Sequence, residues 1–280
     1  MSNFENLILD EERALYGICG KSVSNCRFEG PKDGESALKE CKNVTVSRCH
    51  FDLRYPFWHD ENVTIDDCKM TENCRAALWY SQNIAVKDSD FCGIKVFREC
   101  KDIFVNDTKI ISPECFWFCK NIEVNNSAVD GVYGFFKCEN VSLNGVHFGG
   151  KYSFQYVENL NIENCVLDTK DAFWHSNNVT VKNSVVKGEY LGWYSNNLTL
   201  INCKISGTQP LCYAQNLKLI DCTMENCDLA FEYSDVTATV SSHIDSIKNP
   251  ISGSITAQSI GEIIFDECRR DNGDVIITQG

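Results

Sequence analysis

The sequence predicts an all-β fold, a single-stranded parallel β-helix (β-solenoid) of about twelve 19-residue coils with terminal caps. Three observations carry this. A nine-residue motif opening on Asn recurs through the chain, as NVTVSRCHF at Asn43, NVTIDDCKM at Asn62, NIEVNNSAV at Asn121, NVTVKNSVV at Asn178 and NLTLINCKI at Asn197. The interval is 19 residues, broken once by two extra residues between Asn62 and Asn83. Inside the motif the apolar residues alternate with polar ones, the period of a strand, and no window shows helical periodicity.

Residues 1–19 are read as an N-terminal cap, with NFENLILDEERALYG covering the first coil, because an open coil leaves unpaired strand edges. Coils then occupy 20–260, starting with GKSVSNCRF at Gly20 and the insertion GPKDGESA. With the Asn as position 1, Val, Ile or Leu at positions 2 and 4 make the first strand. Position 6 is Asn, Asp or Gly, as at Asp67, Asp88, Asn126, Gly145 and Asn183, which suits a corner near left-handed backbone. Position 7 is small (Cys49, Cys68, Ser89, Cys203) and position 9 is apolar (Phe51, Met70, Phe91, Ile110). A third strand precedes each next Asn, as in YPFWHD (55–60) and DAFWHS (171–176). Coils stack about 4.8 Å apart, so the Asn residues form a ladder that passes amide hydrogen bonds along a buried corner. Residues 261–280 read as a capping hairpin turning at Asp271-Asn272-Gly273-Asp274, which makes 1–280 a single β-helix domain.

Composition narrows the function classes. The formal charge is -13, with 26 Lys and Arg against 39 Asp and Glu and no basic run, which argues against a nucleic-acid partner. No run approaches the roughly 18 apolar residues of a membrane span, and the chain begins without a basic n-region and apolar h-region. A cytoplasmic protein with no membrane partner is expected. The 17 cysteines include no CxxC pair, and the five histidines are scattered, so no metal and no cofactor are expected. Their odd number fits reduced, buried thiols that act as small hydrophobes.

The third strand decides whether there is a site. Positions 14, 16 and 18, as in Ala77-Trp79-Ser81 and Ala172-Trp174-Ser176, look like core packing. Positions 13, 15 and 17 then face out, since they carry Lys, Glu, Asp and His at the edges. The ligand-binding candidates are therefore Tyr55, Phe57, His59, Tyr80, Phe97, Phe116, Tyr133, Phe135, Tyr152, Phe154, Tyr156, Phe173, His175 and Tyr194. An apolar stripe of that size should meet something. Three readings stand: a groove for a saccharide-like or other extended ligand, a homo-oligomer interface, or a bend that turns position 15 inward.

The three-strand coil, the Asn ladder and the aromatic third strand resemble the right-handed parallel β-helix of the pectin-lyase-like superfamily. Length and repeat register also resemble a mainly bacterial family described as a domain of unknown function. The resemblance implies a right-handed helix, with polysaccharide or oligosaccharide lying along one sheet as in polysaccharide lyases, glycoside hydrolases, esterases and tailspike-type binders. The superfamily's catalytic patterns do not carry over. Asp66-Asp67 stands at a corner, no Gly-His-Gly occurs, Arg98 falls at an inward position and Arg54 at a corner. If the chain is an enzyme, a glycoside hydrolase or polysaccharide lyase, the candidates are Glu99, Glu114 and Lys137. Glu99 and Lys137 share a column two coils apart, with Phe118 between, whereas Glu114 is placed to pair with Lys95.

Overall fold

The computed structural model describes residues 3–30, 32–267 and 274–280. They fall into two compact units, Met1–Val141 and Ser142–Gly280. Each is a right-handed parallel β-solenoid, about 14 turns in all. Alternation of Val, Ile and Leu explains the first side. In the first unit Val44, Val63, Ile84 and Ile103 are buried and pair in register, and in the second Leu160, Val179 and Leu198 do the same. Like residues therefore stack on like, each burying its whole side chain against the coils on either side.

The corners show why Cys, Ser and Thr interchange. At position 7 the side chain points inward and accepts the backbone N–H of the same position in the coil before it. Cys68 N–H donates to Ser89 Oγ at 3.0 Å, Thr108 N–H to Ser127 Oγ at 3.1 Å, Cys165 N–H to Ser184 Oγ at 3.0 Å and Cys49 N–H to Cys68 Sγ at 3.4 Å. Position 18 repeats the device, with Cys41 N–H donating to Asp60 Oδ1 at 2.7 Å and Asp60 N–H to Ser81 Oγ at 3.0 Å. A corner cannot continue the strand ladder, so a small inward acceptor satisfies an N–H that water does not reach. The cysteines are thus acceptors as well as small hydrophobes. All those among the described residues are unbridged, and burial pushes the thiols of Cys74 and Cys115 up to about 12.

The Asn ladder is present, but on the outside. Asn62 Nδ2 donates to Asn43 Oδ1 at 2.9 Å in the first unit, and Asn197 Nδ2 to Asn178 Oδ1 at 3.1 Å in the second. These residues are largely exposed. Their φ values, 57° at Asn62 and 56° at Asn178, explain the choice of residue, since Asn tolerates left-handed backbone and its amide bonds locally. The corner residues at position 6 are left-handed as expected, with φ of 49° at Asp67 and at Asn183.

The third side departs from the expected strand. Left-handed residues stand at position 15 (Phe97, Phe116, Phe135, Phe154, Phe173) and position 17 (His59, Tyr80, Glu99, Lys137, His175), with φ between 53° and 64°. A residue of positive φ turns the chain, so successive side chains no longer alternate between two faces. Positions 14 and 15 both point in, and 16 and 17 both point out. Outside the short pairs at Leu38–Lys39, Phe57–Trp58 and Leu78–Trp79, this side has isolated bridges such as Trp79 to Arg98 and Arg98 to Trp117.

The ends contribute turns of their own, which raises the coil count above the dozen expected. Phe4–Glu5 and Ile8–Leu9 pair in parallel with Ser22–Ser24 and Arg27–Phe28, so the segment expected to cover the first coil does so as a coil. At the other end Val275–Gln279 lies parallel to Gly253–Ala257 rather than antiparallel to its neighbour, as a hairpin would require. A parallel strand continues the ladder, satisfying the exposed edge with the same hydrogen bonds as the coils before it. Of the turn expected at Asp271-Asn272-Gly273-Asp274, residues 271–273 lie outside the described residues.

Candidate functional site

The six phenylalanines expected to face a ligand are core. Phe57, Phe97, Phe116, Phe135, Phe154 and Phe173 are each at most 1% exposed. Their rings stack inside each unit, with Phe97, Phe116 and Phe135 at 4.7 and 4.5 Å in the first and Phe154 and Phe173 at 5.3 Å in the second. The tryptophans placed inward move the other way. Trp58, Trp79, Trp174 and Trp193 are half-buried and face outward beside position 17. A signal for this exchange stood in the column itself, since Arg98 and Gln155 share position 16 with the tryptophans.

The outer surface of the third side therefore carries two columns of rings. In the second unit position 17 stacks Tyr156, His175, Tyr194 and Tyr213 at 5.0, 5.0 and 4.8 Å, nearly parallel, with Tyr233 following at 5.5 Å and tilted. Beside it Trp174 and Trp193 stack at 5.4 Å. The first unit begins the same pattern with Trp58 on Trp79 at 5.2 Å and His59 on Tyr80 at 5.0 Å. Charge then interrupts it. Arg98 lies 5.6 Å from both Trp117 and Phe118, and Lys137 lies 5.4 Å from Phe136.

Stacking along a column has a chemical consequence. The faces of most rings are occupied by the rings above and below, so a ligand meets ring edges and hydroxyls. Edges carry the positive part of the aromatic quadrupole and favour oxygen atoms. Tyr156 and Tyr194, 45% and 46% exposed, are the most open tyrosines of these columns. Partial burial, with Glu232 nearby, raises the Tyr213 hydroxyl above its ordinary value and keeps it a donor.

Of the remaining expected residues, Tyr133 is exposed while Tyr55 and Tyr152 are half-buried. The three catalytic candidates do not converge. Glu114 pairs with Lys95 at 3.6 Å, Glu99 approaches Arg98 at 3.5 Å, and Lys137 sits over Phe118 and Phe136. None of the three lines the cavities of 710, 400, 270 and 110 Å³ that the surface carries. One carboxyl is strongly perturbed: burial raises Asp60 to about 8, and its Oδ2 has no hydrogen-bond partner. Asp60 lies in the interior at position 18. Among the described residues no group of three or more His, Cys, Asp or Glu is placed to hold a metal ion, and no helix is long and apolar enough to cross a membrane.

The sequence profile of a family described as "Protein of unknown function (DUF3737)" matches residues 2–278. No curated protein matches the chain. Among solved structures, the Streptococcus pneumoniae surface protein and adhesin PfbA is 9% identical, with 99% of this chain and 91% of that one covered at a TM-score of 0.37. The Azotobacter vinelandii mannuronan C-5 epimerase AlgE4 A-module is 10% identical, with 96% and 88% covered at 0.33. The periplasmic alginate epimerase AlgG is 10% identical, with 98% and 73% covered at 0.33.

Proposed function

We propose, for a chain that belongs to the DUF3737 family, a binding function: an extended saccharide-like ligand lies along the outer ring columns of the third side. The observation that carries this reading is the run of Tyr156, His175, Tyr194 and Tyr213 at about 5 Å intervals. A row of hydroxyl and imidazole groups held by a rigid solenoid offers one polar contact per coil to a polymer with repeating hydroxyls. Preorganisation lowers the ordering cost of binding, because the row is set by the ladder of hydrogen bonds beneath it. The chain acts as a binder rather than a catalyst in this reading, since Glu99 and Glu114 are each engaged by a neighbouring cation. Reduced thiols held in hydrogen bonds fit a cytoplasmic setting.

A glycan array followed by calorimetry tests it. Replacing Tyr156 and Tyr194 together by Ala should weaken binding by at least about tenfold, equivalent to 1.4 kcal/mol, while the thermal midpoint stays unchanged. A second reading, that the exposed Tyr156 and Tyr194 of the second unit form a homo-oligomer interface, rests on the same exposure. Sedimentation separates the two: a dimer that the double substitution dissociates, with no glycan bound, replaces the ligand reading.

A further inference from the structure

Three of the five indoles satisfy their N–H in one way. Trp117 Nε1 donates to the Tyr133 carbonyl at 2.6 Å, Trp174 to that of Tyr190 at 2.7 Å and Trp193 to that of Gln209 at 2.8 Å, each acceptor 16 residues on in the next coil. Trp58 and Trp79 differ. Their Nε1 atoms are buried and have no partner. A buried donor left unpaired costs about 1–3 kcal/mol, so two of them on rings stacked at 5.2 Å mark a place that awaits an acceptor the chain does not supply.

The position of that place follows from the repeat. The residue 16 on from Trp79 is Lys95. The coil after Trp58 holds the two extra residues, with a 3-10 turn at Glu72–Cys74 and Arg75 at φ 50°, which shifts the equivalent position to Ala76. Arg75, Ala76 and Lys95 line one cavity of 110 Å³ together with Tyr55, Trp79 and Ile94. A wider depression of 400 Å³ shares Arg75 and Ile94 with it and adds Arg54, Glu72 and Asn73. At about 30 Å³ per water, the smaller cavity has room for one compact polar group.

Its charge is positive in a chain that is otherwise acidic. Arg75 and Lys95 line it, and the Arg98 guanidinium lies 5.9 Å from the Trp79 ring with Nε and Nη1 buried and without hydrogen-bond partners. Opposing charges are Glu114, 3.6 Å from Lys95, Glu99, 3.5 Å from Arg98, and Glu72 in the wider depression. Arg75 makes no ion pair among the described residues.

We propose that this cavity in the first unit binds an oxyanion, the carboxylate or phosphate group of a small ligand. The indole N–H groups of Trp79 and Trp58 and the Arg75 guanidinium donate to it, and Lys95 and Arg98 supply charge. The site is separate from the tyrosine column and stands whether or not a glycan binds there.

Nuclear magnetic resonance of the full ¹⁵N-labelled chain tests it, because the five indole N–H signals carry their own controls. Inorganic phosphate and acetate are titrated separately at ionic strength held constant with chloride, and signals are assigned with Trp→Phe variants. The expected result is a saturable shift of the Trp58 and Trp79 signals while Trp117, Trp174 and Trp193 stay put. Arg75→Ala should weaken that shift about tenfold, as should Trp79→Phe, which keeps the ring stack and removes the donor. A response to acetate alone assigns a carboxylate ligand, and a response to phosphate alone a phosphorylated one. The proposal fails if neither anion moves the two signals beyond the chloride control, if all five move together, or if both variants bind like the parent chain.

Discussion

The two units repeat the same coil and finish its outer side differently. The second carries Tyr156, His175, Tyr194 and Tyr213 in an unbroken stack, whereas the first breaks off after His59 and Tyr80 with Glu99, Phe118 and Lys137 at the same position. Inside, both units bury Phe at position 15 in several coils and place small acceptors such as Ser89 and Ser184 at position 7. The difference teaches that the coil fixes its inward residues and leaves positions 16 and 17 free to vary, so function must be sought in those two columns.

The widest test of that division compares an inner ring with an outer one. Phe116→Ala and Phe173→Ala should each cost about 3–5 kcal/mol, the range for emptying a buried aromatic site. Tyr194→Ala, on the outside, should cost less than about 1 kcal/mol. Urea midpoints measure all three, and equal losses at Phe173 and Tyr194 would break the distinction between inner and outer columns.

Position 18 sharpens the contrast, because the first unit places Asp60 where the second has Ser176 and Ser195. Burial lifts the Asp60 carboxyl from its ordinary 3.8 to about 8. The folded chain then holds a proton that the unfolded chain releases, so this group's stabilisation is complete below about pH 4 and is lost as pH rises through 8. Asp60→Asn keeps an acceptor for Cys41 N–H and removes the titration. The variant should gain on the parent by a few kcal/mol between pH 4 and pH 8, and parallel stability curves for the two chains would contradict the buried, protonated carboxyl.

Smaller effects belong to the exterior. Asn178→Ala places a Cβ without local hydrogen bonding at φ 56° and should cost about 1–2 kcal/mol, while Asn178→Gly, free of the backbone strain, should cost less; thermal midpoints rank the two. Glu114→Gln breaks an exposed pair with Lys95 and should change stability by under about 0.5 kcal/mol, a limit that chemical denaturation can check.

Much of the fold was legible because a repeat states its constraints many times over. The period, the left-handed corner at Asp67 and Asn183, the parallel register and the buried Val and Ile columns all follow from residues that recur. The third side was not legible, because left-handed residues at positions 15 and 17 abolish the alternation that a strand imposes. Phe116 and Trp117 thereby exchanged places. The column carried the correction: position 15 holds Phe, Leu and Gly, while position 16 admits Arg98 and Gln155, which a core does not readily accept. The orphan indoles lay beyond sequence reasoning, since Trp79 and Trp117 share one position of the repeat, yet Trp117 finds a carbonyl acceptor and Trp79 does not.

The corner acceptors give the solenoid a direction. The inward Ser, Thr and Cys acceptors at position 7 complete the coil before their own, as Ser89 does for Cys68 and Ser127 for Thr108. During synthesis a coil thus remains unfinished until its successor has been made. Trimming whole coils from the amino end leaves these N–H groups with their acceptors, whereas trimming from the carboxyl end uncaps the coil left behind.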